Sequence, residues 1–385
     1  MLRYQILNSL LHFLVFFLGA GIGSFLNVVI YRLPLGVSVN NPRRSFCPSC
    51  KKQIPMWQNI PVLSWLLLRG KCAACGSRIA PRYILVEVLT GLLFYAVFRN
   101  FGGDWGRTAE WGPTVLALCI FLSLLVAGTF IDIDHFILPH EITIGGTFAG
   151  LLLAYWAPGI VGEEEHGRGM VISFLSAMIG LGLIWTVILL GKLAFGRKRH
   201  VFDTPEAWSV TQPDEEKSPV VTLQGDTYEW EDLFTRPTDR LILHSPDVKV
   251  NDRAYQNVRV EIKTETLKVC LSNKNEESFD LEKVTLLSGT CTEVVIPREA
   301  MGYGDMYFMM MIGAFLGWKA VLFTILAASV IGTVFALVPR IFGKAEWSAR
   351  IPFGPYLAAG AALWVFYGTP ILDWYLNRTM WRPHG

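Results

Sequence analysis

The sequence predicts an all-α polytopic membrane protein of about eight transmembrane helices, with a cytoplasmic four-cysteine zinc loop and a β-rich cytoplasmic insertion. Three observations lead there. Of 385 residues, 52% are hydrophobic and only 17% charged, a balance that excludes an ordinary soluble globule. Apolar runs of membrane length recur along the chain. Lys and Arg gather in alternate loops, as they do on the cytoplasmic side of inner-membrane proteins.

The apolar segments fall at 8–31, 83–98, 113–131, 142–157, 170–195, 306–318, 320–338 and 355–372. The first is too long for a signal-peptide core and has no A-x-A site after it, so it is read as a retained span. The segment 306–318 is short and calls for tilt or local thinning. Between residues 32 and 82 lie Arg32, Arg43, Arg44, Lys51, Lys52, Arg69, Lys71, Arg78 and Arg82 with no acidic residue, whereas 162–169 carries Glu163, Glu164 and Glu165. Alternating spans then put the basic loops inside and the acidic one outside. The domain reading is 1–31 first span, 32–82 zinc loop, 83–196 spans two to five, 197–299 insertion, and 300–385 the last three spans. The insertion alternates in Val258-Arg259-Val260-Glu261-Ile262-Lys263, a half-buried strand pattern. Its stretch 204–219, rich in Pro, reads as a linker.

Two acidic sites stand where hydrocarbon makes charge expensive. They are Ile131-Asp132-Ile133-Asp134 at the end of the third span and Met301-Gly302-Tyr303-Gly304-Asp305 at the start of the sixth. An ionised Asp at bilayer depth costs on the order of 3 kcal/mol, less near the interface. The alternation places Asp132 and Asp305 on one membrane side. Two carboxylates brought together share a proton, one serving as base and the other as acid, which suits hydrolysis. Asp134 is the less favoured partner. A carboxylate-based transporter uses the same residue type, and a non-catalytic assembly scaffold is the third reading.

Cys47, Cys50, Cys72 and Cys75 form two C-x-x-C pairs separated by 21 residues. Four thiolates suit a closed, tetrahedral, structural Zn2+. The other three cysteines, Cys119, Cys270 and Cys291, read as core residues. Glu87 reads as an interfacial partner of Arg82 or of a nearby Lys, or as a neighbour of a second site, His135 as a surface residue or a proton tuner, and the Met run from Met301 to Met311 as packing or lipid-facing material. Trp318, Trp374 and Trp381 suit an interfacial belt. No nucleic-acid partner is expected; membrane lipid is.

The chain resembles the type IV prepilin peptidases, aspartyl peptidase family A24, which are leader peptidases and N-methyltransferases. The resemblance rests on Gly23-Ser24-Phe25-Leu26-Asn27, the two C-x-x-C pairs with Asn59-Ile60-Pro61-Val62 between them, Arg82-Tyr83, Val86-Glu87, Gly91, the two Asp sites, and Pro352-Phe353-Gly354-Pro355-Tyr356. It implies cleavage of the basic leader of prepilins or pseudopilins at the cytoplasmic face of the inner membrane, with Asp132 and Asp305 catalytic. It also implies methylation of the new N-terminus from S-adenosylmethionine. Two positions depart from the family's pattern. His140 stands where an acidic residue is common, and Tyr307 where Lys is.

Overall fold

The computed structural model describes residues 2–41, 45–47, 49–103, 108–195, 197–212, 218–234, 239–271, 276–297, 302–341 and 351–379. Arg43, Arg44, Met301 and Trp381 lie outside them. Two compact units emerge, Met1–Trp185 with Tyr303–Gly385, and Thr186–Gly302.

The first unit is helical. Its helices are α1 (Leu2–Arg32), a short α2 (Leu63–Leu67), α3 (Arg82–Phe101), α4 (Thr108–His135), α5 (His140–Trp156), α6 (His166–Phe195, which continues past the unit's boundary), α8 (Tyr303–Ile341) and α9 (Gly354–Thr379). Among the described residues, six of them are long and apolar enough to cross a membrane, within α1, α3, α4, α6, α8 and α9, and the protein is a multi-pass membrane protein. The expectation was about eight spans, of which these six helices include the first, second, third and fifth, the paired sixth and seventh, and the eighth. The segment 142–157 is a helix of 17 residues, at the lower end of the lengths that span a membrane. The segments 306–318 and 320–338 belong to one stretch, interrupted at Gly317 (φ 82, ψ 170). That left-handed φ is open to glycine at little cost, so the stretch breaks there.

Close packing in this unit depends on small residues. A side chain at Gly23 would meet the Glu87 Cα at 2.8 Å, and one at Gly19 the Thr90 carbonyl oxygen at 2.9 Å. Gly19 and Gly23, four residues apart on one face, thus let α1 pack antiparallel on α3, as small residues allow between membrane helices. The first half of α8 is enclosed. Gly146 and Gly150 of α5 press on Met311 and Phe315, while Gly180 and Gly313 bring α6 and α8 into backbone contact. Met309 and Met311 are consequently fully buried, so the described part of the Met run is packing material. Leu10, Phe13, Leu14, Leu18, Phe148, Leu152, Leu326, Val330 and Phe335 point outward, as side chains facing lipid do.

The second unit is the β-rich region that the sequence led one to expect, and its sheet is at odds only with the all-α label. It holds α7 (Trp230–Leu233) and an eight-stranded antiparallel sheet in the order β3-β2-β1-β8-β4-β5-β6-β7. The strands are β1 (Arg197–Thr211), β2 (Val220–Leu223), β3 (Asp226–Glu229), β4 (Leu241–Val250), β5 (Arg253–Ile262), β6 (Thr266–Cys270), β7 (Glu276–Asp280) and β8 (Leu287–Pro297). On β5 the alternation is realised, with Val258, Val260 and Ile262 buried. The expected linker 204–219 is strand as far as Thr211; residues 213–217 lie outside the described ones. Pro205, which has no N–H for a ladder, sits where the β1–β8 register shifts between Val201 and Glu206, a bulge that tolerates it. The pairing partner, β8, lies some eighty residues on in sequence, beyond the reach of local pattern.

Candidate active site and metal centre

Helix α4 ends where Phe136, at φ 55, caps it by donating its N–H to the Asp132 carbonyl at 2.9 Å. Pro139 then starts α5 with a fixed φ. This short corner leaves Leu138 buried and turned back under the helix ends. Leu138 carbons lie 3.4 Å from a Cβ built on Gly128, 3.0 Å from one on Gly304 and 3.3 Å from one on Gly354. Three elements therefore converge on Leu138.

The register of α4 against α8 follows from two contacts. Phe121 packs on Phe315 with ring centroids 4.8 Å apart. Seven residues on in α4, and seven back in α8, a Cβ on Gly128 would meet Phe308 at 3.0 Å. The helices are antiparallel, and four residues further along α4 Asp132 lies level with Gly304, beside Asp305. Both carboxylates are buried, at 5% and 8% exposure. The Gly354 N–H, at the first position of α9, donates to Asp132 Oδ2 at 3.0 Å. A helix N-terminus is a ready donor to a carboxylate, and this bond leaves Oδ1 to other partners. The role of Gly354 was missed in the sequence, although the Gly-Pro step before an apolar run marks a helix start.

Asp134 is not level with that pair. It forms an ion pair with Arg82, whose guanidinium also stacks over Phe130 at 5.8 Å. Arg82 is therefore not the partner expected for Glu87, whose Oε2 instead accepts the Val62 N–H at 2.7 Å. His135 is exposed. The two positions that depart from the family pattern face one another, with the His140 and Tyr307 rings edge to face at 5.3 Å and 83°. An edge-to-face contact stands where the common residue types would pair charges.

The cysteine loop is built from two like turns. Phe46 bridges Gln53 and Lys71 bridges Arg78, each pair flanking one C-x-x-C. Lys51 and Gly76, the residues after each second cysteine, both take positive φ (58° and 72°). In each turn a backbone N–H closes on the first cysteine's carbonyl, from Lys51 at 2.8 Å and from Gly76 at 2.9 Å. This eight-residue repeat escaped the sequence reading because the two copies share little beyond the cysteines. The four sulfurs of Cys47, Cys50, Cys72 and Cys75 lie within 4.8 Å of one another, and Cys47 and Cys75 are 3.9 Å apart. Sulfurs held about 2.3 Å from one tetrahedral ion would be separated by about 3.8 Å, so the donor set fits a metal ion. The Cys50 N–H and the Ser77 hydroxyl pull the Cys47 thiol down to about 5. The Ser77 hydroxyl and N–H also lower Cys75. At Cys50 the Lys52 N–H lowers the thiol, but burial and the neighbouring thiols outweigh it and push it up to about 11. The hydrogen bonds to Cys47 and Cys75 thus favour the thiolate, the ligating form. Cys119 and Cys291 are buried in helix and sheet, and Cys270 is partly buried on β6.

Comparison with known proteins divides along the same lines. Residues 17–101 match the Bacterial Peptidase A24 N-terminal domain, and 119–197 with 283–337 match the Type IV leader peptidase family. Proteins named prepilin leader peptidase/N-methyltransferase are similar to this chain. One from Myxococcus xanthus is 42% identical over 48% of this chain and 52% of its own length. Those from Aeromonas salmonicida and Stutzerimonas stutzeri are 26% and 27% identical over 94% of this chain and 93% and 92% of their own. No solved structure matches. Asp132 falls in the first leader-peptidase block and Asp305 in the second, with the cysteine loop in the N-terminal block. With both family blocks in order and relatives aligned along almost its whole length, the chain belongs to the type IV leader peptidase family.

Proposed function

We propose that this chain is an intramembrane aspartyl endopeptidase that removes the basic leader of type IV prepilins or pseudopilins and then methylates the new N-terminus from S-adenosylmethionine. The observation that carries the reading is the antiparallel register of α4 and α8, with Asp132 level with Gly304–Asp305 at buried helix ends. The unionised acid of the pair hydrogen-bonds the scissile carbonyl oxygen, while the ionised one takes a proton from water. The water oxygen bonds to the carbonyl carbon. The acids then return a proton to the leaving nitrogen as the C–N bond breaks, releasing a free α-amine. Loss of bulk water around the carboxylates strengthens each of these interactions.

The basic loops support a cytoplasmic face for this end of the helices and the inner membrane for the protein. A leader peptide that is basic, followed by an apolar helix, would present its scissile bond at that interface. Arg32 does not serve lipid binding, because its guanidinium is buried and donates to the Ser38 and Val39 carbonyls. Family membership gives the transporter and scaffold readings no support.

The cysteine cluster is assigned to structural Zn2+, pinning the loop between α1 and α3. Purified protein is expected to carry about one zinc per chain, measured by elemental mass spectrometry, and a Cys47→Ser/Cys72→Ser variant to carry none. Metal-free wild-type protein with an intact fold would end that assignment. The whole function is tested by co-expression with a prepilin and mass measurement of its mature N-terminus. Loss of the leader together with a gain of one methyl group is expected. An uncut prepilin would refute the reading.

A further inference from the structure

Within the loop between α1 and α3, the segment 55–68 turns back along the two helices. The Val62 N–H donates to Glu87 Oε2 at 2.7 Å. Glu87 lies five residues after Arg82, the first of α3, which is about 7.5 Å inside that helix. On α1 the same level is marked by Gly23, where a Cβ would meet the Glu87 Cα. Gly23 comes nine residues before Arg32, the last of α1, about 13 Å from its end. The membrane-crossing lengths of both helices run out to those ends. The start of α2 therefore sits beside the spans, at the depth where headgroups give way to acyl chains.

The segment is tied together from within. One turn of 3-10 helix covers Met56–Gln58. The Ser64 hydroxyl accepts the Ile60 N–H at 2.9 Å and donates to the Trp57 carbonyl at 3.4 Å, joining that turn to α2. Between them Val62 takes φ 64, ψ −52, in a γ-turn closed by the Leu63 N–H on the Pro61 carbonyl at 2.6 Å. This conformation is strained for a β-branched residue and persists only where the surroundings hold it, here through Glu87. The turn fixes which way α2 faces. Ser64, Trp65 and Leu68 line a cavity of about 410 Å3 whose walls come from residues 24–87. Leu63, Leu66 and Leu67, spaced as one helical stripe, point the other way, Leu67 with 81% exposure. Met56 and Trp57, on the joined turn, are exposed at 78% and 68%.

The charge around these five apolar side chains says what covers them. Residues 32–82 carry no acidic residue, while Lys51, Lys52, Arg69 and Lys71 are exposed. So basic a surface repels a basic leader peptide. Arg82 pairs with Asp134, so this end of the helices is also the end that carries the acid pair. We propose that the segment 55–68 is an interfacial anchor seated in anionic phospholipid. Met56, Trp57, Leu63, Leu66 and Leu67 enter the boundary of the leaflet on the acid pair's side, and the flanking Lys and Arg meet anionic headgroups. The assignment rests on the membrane orientation given under the proposed function. An apolar stripe flanked by cations is the pattern of segments that lie in the interface, and Trp suits the headgroup level.

The test places a benzophenone side chain at Leu67 and, as control, at Ala74, an exposed residue of the second cysteine turn. Full-length, metal-replete protein is reconstituted in bilayers of equal phosphatidylglycerol and phosphatidylethanolamine, irradiated, and read by mass spectrometry. Lipid adducts are expected at Leu67 and not at Ala74. Phosphatidylglycerol is expected to exceed phosphatidylethanolamine among them about fivefold, the preference that one cation at a bilayer surface confers. Arg69→Gln/Lys71→Gln is expected to bring the two lipids nearly level. Equal labelling at Leu67 and Ala74, or no lipid adduct at Leu67, overturns the anchor. Adducts without the phosphatidylglycerol preference overturn its anionic partner. In membranes of the expressing cells, a protein adduct at Leu67 in place of lipid overturns it in favour of a protein partner. Should the chain not fold with the probe at Leu67, the same measurement at Trp57 decides. Prepilin cleavage is assayed on the same sample. Cleavage without lipid adducts refutes the anchor and leaves the function standing, whereas lipid adducts without cleavage refute the function alone.

Discussion

Asparagine in place of Asp132 or of Asp305 is expected to lower prepilin cleavage by on the order of 10⁴-fold, the scale seen when one member of a cooperating catalytic set is lost. The substitution keeps shape and removes only the titrating oxygen. In Asp132→Asn the amide oxygen can still accept the Gly354 N–H that Asp132 accepts at 3.0 Å, so the corner at Leu138 should persist. Each variant should reach the membrane and unfold at nearly the wild-type temperature. Because the two acids act as a pair, the double variant should be little worse than either single one. Wild-type cleavage by either variant would remove that residue from the mechanism.

Gly354→Ala should cost about 100-fold in kcat/KM, with no change to either acid. A Cβ at this position would stand 2.6 Å from Asp132 Oδ2 and 3.2 Å from its Cγ, closer than van der Waals contact permits. Either the carboxylate rotates or the first turn of α9 withdraws. Both disturb a geometry in which displacements of about 1 Å cost about 10²-fold. Gly145→Ala in α5 is the control, since nothing lies within 4 Å of a Cβ there and alanine favours helix. It should cleave at the wild-type rate. A fully active Gly354→Ala enzyme would show that α9 plays no part in holding Asp132.

Local pattern made some of this protein legible without coordinates. Apolar runs are lengthy and few residue types fill them, so helix existence was readable. Whether 306–318 and 320–338 form two elements or one turned on the backbone angle of Gly317. The β-rich character of the insertion could be read from Val258 to Lys263, where alternation is strict. The strand through Pro205 was hidden, because its partner β8 is remote and Pro argues against a strand. Likewise Arg82 or a nearby Lys was one of the partners open to Glu87, whereas the fold pairs Arg82 with Asp134 from α4.

By itself the sequence determined the chemistry available: two acids at span ends, four cysteines in two like pairs, and apolar segments that burial in lipid obliges to satisfy their own backbones. Tertiary structure decided which of those groups meet. The antiparallel packing of α4 on α8 brings Asp132 level with Gly304–Asp305, and the start of α9 supplies the N–H on Asp132. Residues 24–87 fold around a common cavity. Periodicity reports which face of a segment is apolar, but not which partner covers it. Close approach through glycine is set by contacts between residues far apart in the chain.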